Sequence, residues 1–251
     1  MLSTALGMCE SAAHSPDDVD WTALPDDCLV AMHWHRTQEL AGFLASRGFK
    51  PIVTVRHPLD VLISILHFSQ CDPATAQWLA GEGGDETLLR GADPTSLEFL
   101  EYALSDRASA LLAISAEWAR HAVSIVRYED LVAQPKTVVE LVIRQLSLSP
   151  RKPLAEVIAA HTIELLRPIS PHHIWRGEPG LWRRLVIREF WENIWQRHRE
   201  TFELFGYSCH SPTNVTPAAA RESWRALCEP EKHNSSTGLH PLSEPNESAG
   251  A

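Results

Sequence analysis

The stretch Pro51-Ile-Val-Thr-Val-Arg56-His-Pro58-Leu-Asp60-Val-Leu-Ile-Ser64 decides how this chain is read. A β-branched apolar run stops at an arginine, passes through His57-Pro58 and continues with helical spacing. Locally this is a strand, a tight turn and a helix N-terminus, with Pro58 in the first turn, where its missing N–H costs nothing. In an open parallel sheet, ligands gather beyond the carboxyl ends of the strands. A helix N-terminus at that edge offers unpaired N–H groups and the positive end of the helix dipole. Arg56 adds a guanidinium able to grip an oxyanion through two parallel hydrogen bonds, and Ser64 adds a hydroxyl donor. The chemistry is that of an anion site, with phosphate the best fit. An isolated arginine at a strand end is more often a salt-bridged surface residue, so the surrounding pattern has to carry the assignment. Asp60 reads as a support for the helix start.

The flanking elements extend the pattern. Residues 27–34 read as a buried strand, and Thr37–Arg47 carries helical spacing through Leu40, Phe43 and Leu44 before Gly48 leads into the strand at 51–56. This strand–helix–strand unit has the length of a right-handed parallel crossover. A helix follows at 59–69. Residues 72–120 read as mostly helical, with loops around Gly81–Gly84 and Gly91–Pro94. A third strand is expected at Val123–Arg127, then helices at Thr137–Leu148 and Pro153–Leu166. A long aromatic-rich helix at Leu185–Leu204 ends at Gly206-Tyr207, its tryptophans facing the core. From residue 209 to 251 the chain is rich in Ser, Pro, Asn and Glu, and a disordered tail is expected. The fold class is α/β: three αβα layers around a central parallel sheet, in one domain over residues 1–208.

Composition narrows the function classes. A chain of 251 residues can bury one sizeable core. No apolar stretch approaches the roughly 20 residues that span a bilayer, so no membrane association and a cytoplasmic location are expected. The five cysteines show no C-x-x-C and no paired spacing, which indicates neither a disulfide framework nor a zinc ribbon. A net charge of −10 argues against a general nucleic-acid or membrane-surface binder. It leaves room for a nucleotide, which a few local arginines can hold.

Arg56-x-Pro58-x-Asp60-x-x-x-Ser64 after a strand is similar to the 3′-phosphate signature of the cytosolic-type sulfotransferases, which use 3′-phosphoadenosine 5′-phosphosulfate (PAPS). Three more stretches resemble that family in the right order. Leu29-Val-Ala-Met-His33 is similar to the strand ending in the catalytic histidine, and Val126-Arg127-Tyr128-Glu129-Asp130-Leu131 to the Y-E-D-L segment whose tyrosine lies near the adenine. Trp175-Arg176-Gly177-Glu-Pro-Gly180-Leu-Trp182 is similar to the R-K-G-x-x-G-D-W loop that closes over the 3′-phosphate, with one cation lost at Trp175. The resemblance spans about residues 27–207. It implies a P-loop NTPase-like sulfotransferase fold, with Arg56, Ser64, Tyr128, Arg176 and Gly177 on the donor nucleotide.

One part of the family pattern is not found. The first strand and its P-K-S-G-T-T-W-like loop, which cradle the 5′-phosphosulfate, should precede a helix that Met1–Gly7 resembles. The fold is therefore expected to be N-terminally truncated, either because the true start lies upstream, the favoured origin, or because the loop is lost. Met1–Gly7 is too short for a signal peptide and has no basic segment.

The base candidates are His33 and His35. A histidine titrates near 6.5, close to working pH, and can take the proton of an attacking acceptor. The two lie on one side of an extended segment. The resemblance selects His33, although the lysine expected two residues earlier is Ala31; His35 stays open, as does a plain polar strand end. No third ligand sits at zinc-like spacing, so no metal is expected. The stretch Cys71–Asp85 lacks a basic cluster, which favours a small neutral hydroxyl or amine acceptor over a highly charged one. Three functions compete: a PAPS-dependent sulfotransferase, a non-catalytic relative with weak or no nucleotide binding, and a nucleotide-kinase-like phosphotransferase. The last needs a Walker-type lysine, and no such motif occurs. Nothing in the sequence sets the acceptor or the oligomeric state.

Overall fold

In a computed structural model, which describes residues 1–13, 15–71, 86–169, 175–208 and 214–228, the decisive stretch folds as a strand followed by a helix. Ile52–Val55 is β3 and Pro58–Cys71 is α3, with Pro58 opening the helix. Before them come α1 (Leu2–Leu6), β1 (Cys9–Ala13), β2 (Cys28–Met32) and α2 (Gln38–Ser46). After them come α4 (Leu97–Leu104), α5 (Asp106–Ala119), β4 (Ser124–Arg127), α6 (Tyr128–Ala133) and α7 (Pro135–Gln145). The loop expected at Gly81–Gly84 and the acceptor-pocket stretch at 72–85 lie outside the described residues. Side-chain caps hold several helices: Thr37 accepts the Leu40 N–H, Ser96 that of Phe99, and Ser105 that of Ala108.

The protein is α/β, mostly helical, with two small parallel sheets. β1 pairs with β2, Cys9 opposite Cys28, and β3 pairs with β4, Ile52 opposite Ser124. The sequence reading joined 27–34 and 51–56 as successive strands of one crossover unit; β2 instead pairs with a strand that reading missed. Cys9-Glu-Ser-Ala-Ala13 lacks the β-branched and aromatic residues that announce a strand, and only its neighbour β2 holds it extended.

Helices cover both faces of the β3–β4 pair. Val53 and Val55 pack with Leu59, Leu62, Leu66 and Phe99, while Ile52 and Val126 pack with Val142 of α7 and with Leu146 at its C-terminal cap. Ala5 and Leu6 of α1 join Val139 and Ile143 on α7. Between the two sheets opens a cavity of about 1210 Å³, lined by all of β2 and all of β3. The apolar residues Leu29 and Val30 are therefore only half-buried, and Thr54 is exposed in the middle of its strand.

Three further expectations need correction. The segment 153–166 forms two short helices, α8 (Leu154–Ala159) and α9 (Ile163–Leu166), parted by a turn at His161. The long helix at 185–204 is three: α10 (Trp182–Leu185), α11 (Arg188–Arg197) and α12 (Arg199–Leu204). Val186 and Ile187 are extended, and the buried His198 leaves helical geometry to place its ring nitrogen 2.7 Å from the Ala103 carbonyl. The disordered tail expected from 209 contains a helix, α13 (Pro217–Cys228), whose Ala220 and Trp224 are buried in the main core. Ala220, Trp224 and Leu227 fall at i, i+4 and i+7, an apolar stripe hidden by the polar composition around it. Residues 229–251 lie outside the described residues. Among the described residues, no helix is long and apolar enough to cross a membrane.

Successive residues of a parallel strand direct their backbone groups to opposite edges, so a strand with one neighbour bonds only every second N–H to it. Amide exchange is expected to show alternating protection along 28–32 and 52–55. Uniform protection of every amide in β2 would mean that a second strand lies against it.

A candidate anion site at the carboxyl ends of β3 and β4

The parallel register that sets Val55 opposite Arg127 brings the next residues, Arg56 and Tyr128, side by side. The Arg56 guanidinium lies 4.8 Å from the centre of the Tyr128 ring. The loop of residues 175–181 crosses above them. Tyr128 donates its hydroxyl proton to the Gly177 carbonyl at 2.7 Å, and Arg56 Nη2 donates to the Glu178 carbonyl at 3.2 Å. Asp60, only 1% exposed, fastens the far end: its carboxylate accepts the Gly180 N–H at 2.6 Å and the Trp182 N–H at 3.0 Å. Burial raises the Asp60 pKa, and the two N–H bonds work against that rise. Gly177 sits at φ +64°, and a Cβ there would fall 2.3 Å from Ile163 Cδ1 and 3.2 Å from the Tyr128 hydroxyl oxygen.

Three guanidinium groups bear on this edge. Arg56, Arg127 and Arg183 all act electrostatically on His57. The Nε atoms of Arg56 and Arg127 are buried without a hydrogen-bond acceptor. Buried donors are nearly always paired, and an unpaired one costs about 1–3 kcal/mol. The Arg56 donor, at the strand end beside Tyr128 and under the 175–181 loop, marks a place where an oxyanion would be welcome. The Arg127 guanidinium also lies 4.4 Å from the Tyr207 ring centre.

His57 is the apolar floor of the site. Its ring stacks on Trp182 at 4.7 Å and meets Phe202 and Tyr207 edge-on. Its backbone N–H donates to Glu129 Oε1 at 2.9 Å, and Glu129 Oε2 accepts the Tyr207 hydroxyl at 2.6 Å. Burial lowers the His57 pKa to about 4; Glu129 opposes the change and the nearby arginines add to it. The ring is therefore neutral at pH 7.

Of the residues singled out in the sequence, the structure gathers Arg56, Tyr128 and Gly177 into one contact set. Ser64 lies half-buried along α3 outside that set. Arg176 engages a different partner, with Nη2 3.0 Å from the Leu227 carbonyl of α13. His33 lines the cavity between the sheets together with Arg56 and Tyr128. His35 turns to Glu117, its Nδ1 3.2 Å from the carboxylate, and Glu117 also accepts the Arg36 N–H at 2.9 Å. The Trp118 indole N–H donates to the Trp34 carbonyl at 2.8 Å, so the end of α5 fixes the whole 34–36 segment. The sequence reading missed Arg127 and the Glu129–Tyr207 pair. Arg127 stood in the quoted strand end, and its parallel register with Val55 was the available signal. Among the described residues, no group of three or more His, Cys, Asp or Glu could hold a metal ion.

Two substitutions test this geometry. Gly177→Ala combines left-handed strain with a clash against Ile163 and is expected to destabilise the fold by roughly 2 kcal/mol in denaturant titration. For His57, the folded pKa lies below the unfolded value, so the unfolded chain takes up the proton first. Its contribution to stability is complete above about pH 6.5 and falls as the pH drops toward about 4. His57→Phe, which keeps the stacking, is expected to remove about 2 kcal/mol of the stability difference between pH 7 and pH 5. An unchanged difference would show that His57 is not the titrating group. No protein-family model matches the chain, and no curated protein matches it significantly.

Proposed function

We propose that the chain is built as a PAPS-dependent sulfotransferase that moves a sulfuryl group to a hydroxyl or amine of a small acceptor. In this reading β1–β2 and β3–β4 are two parts of the central parallel sheet of a three-layer, P-loop NTPase-like sulfotransferase fold. The observation that carries it is the buried Arg56 Nε without an acceptor, beside Tyr128 and under the Gly177 loop. Arg56 holds the 3′-phosphate of the donor nucleotide, and the Tyr128 ring offers its adenine a packing surface. The donor supplies an activated sulfuryl group when bound. His33, lining the same cavity as Arg56 and Tyr128, takes the proton from the acceptor as its heteroatom attacks sulfur, and the bond from sulfur to the 5′-phosphate oxygen breaks to release adenosine 3′,5′-bisphosphate. His35 is the lesser candidate because its ring is engaged with Glu117.

A second reading is favoured by the cavity between the sheets. Among the described residues, no strand lies between β2 and β3, where a central strand would carry a loop of backbone amides for the 5′-phosphosulfate. These residues would then bind the nucleotide without turning it over.

Calorimetric titration with adenosine 3′,5′-bisphosphate tests both. Binding is expected, and Arg56→Ala is expected to weaken it about 10- to 100-fold, the loss of one charge-assisted hydrogen bond. His33→Ala leaves that affinity unchanged and removes sulfuryl transfer if the first reading holds. A folded protein that does not bind the bisphosphate overturns both readings.

A further inference from the structure

The last helix among the described residues, α13, also reaches this loop. The Leu227 carbonyl, in the last turn of α13, accepts the Trp175 indole N–H at 3.3 Å and the Arg176 Nη2 at 3.0 Å. A last-turn carbonyl has no partner within its own helix and sits at the negative end of the helix dipole, so a guanidinium is its favoured companion. Trp175 stacks on His67 with ring centres 3.8 Å apart, and Trp224 of α13 closes edge-on against Trp175 at 5.7 Å. His67 and Trp224 are buried, as is Ala220. Arg221 adds a hydrogen bond from α13 to Thr95 at 3.2 Å. The loop is thus held at two separate places. Tyr128, Arg56 and Asp60 hold its Gly177–Trp182 half to the strand ends, and α13 holds Trp175 and Arg176.

We infer that α13 is a strap that fixes the start of this loop and withholds Arg176 from the anion site. The inference rests on the anion-site reading for its second half only. The Leu227 carbonyl, a partial charge, is one acceptor of Arg176; an oxyanion at the neighbouring anion site would offer it a full charge. An arriving anion competes for the guanidinium, and by linkage its binding loosens the last turn of α13. The strap also gives Trp175 a role that the loss of a cation at that position left unexplained. The tryptophan is the flat surface on which α13 seats.

The test uses the full chain with two variants. Trp224→Ala empties the seat of the helix. Ala226→Pro breaks the last turn at an exposed position. Hydrogen exchange without ligand reads the strap itself. Both variants are expected to speed exchange of the 175–177 amides while leaving 52–55 unchanged, and unchanged exchange at 175–177 in Ala226→Pro overturns the strap. Titration with adenosine 3′,5′-bisphosphate reads the withholding. Ala226→Pro is expected to bind about tenfold tighter than the native chain, and Arg176→Gln introduced with it is expected to cancel that gain. An affinity that is unchanged or weaker in Ala226→Pro overturns the withholding. If the native chain binds no bisphosphate, the anion-site reading fails together with the withholding, and the exchange result alone decides the strap.

Discussion

The buried carboxylate of Asp60 is the joint on which the site is assembled. It lies in the first turn of α3, and it accepts two backbone N–H groups from a loop about 120 residues away in sequence. A carboxylate at that depth loses most of its hydration, and only directed donors make its burial tolerable. The consequence is positional. The helix that begins the candidate anion site and the loop that roofs it are tied together, and Trp182, its own N–H on Asp60, is set against the His57 ring. Arg56 and Tyr128 need no further device, because parallel pairing of β3 with β4 already places them together.

The neutral histidine beneath these arginines has an electrostatic role. A charged imidazole there would add a fourth positive group to Arg56, Arg127 and Arg183. Burial against Trp182, Phe202 and Tyr207 keeps it uncharged at neutral pH. The positive field is thereby left to guanidinium groups, which are planar, weakly hydrated and always charged. In a chain of net charge −10, such local concentration is what would let one edge favour an anion.

Much of this was legible in the sequence, and the limits have physical causes. β3, α3, β4 and the Thr37-capped helix followed from β-branched runs, Pro58 and helical spacing, all local signals. Arg56, Tyr128 and Gly177 converge because their motifs mark the two strand ends and the single loop that crosses them. β1 escaped notice because Cys9–Ala13 has no intrinsic strand preference and is extended only by its neighbour. The breaks at Val186–Ile187 and His198 depend on tertiary partners such as the Ala103 carbonyl, which no local pattern encodes. α13 was concealed by averaging: its apolar stripe is three residues deep within a polar region. Arg176 carried the right chemistry for an anion, but a motif does not state which acceptor lies nearest, and the end of a helix from the far terminus lies there.

The seam between the two sheets has a bearing on how the protein behaves as a substance. β2 and β3 each present an edge of backbone donors and acceptors to the same cavity, flanked by half-covered Leu29 and Val30. Strand edges of this kind are templates for further pairing, which proteins ordinarily blunt with charge, proline or a covering helix. Neither Cys28–Met32 nor Ile52–Val55 contains a charged residue or a proline. By that rule, self-association of this chain would begin along this line and would grow with protein concentration.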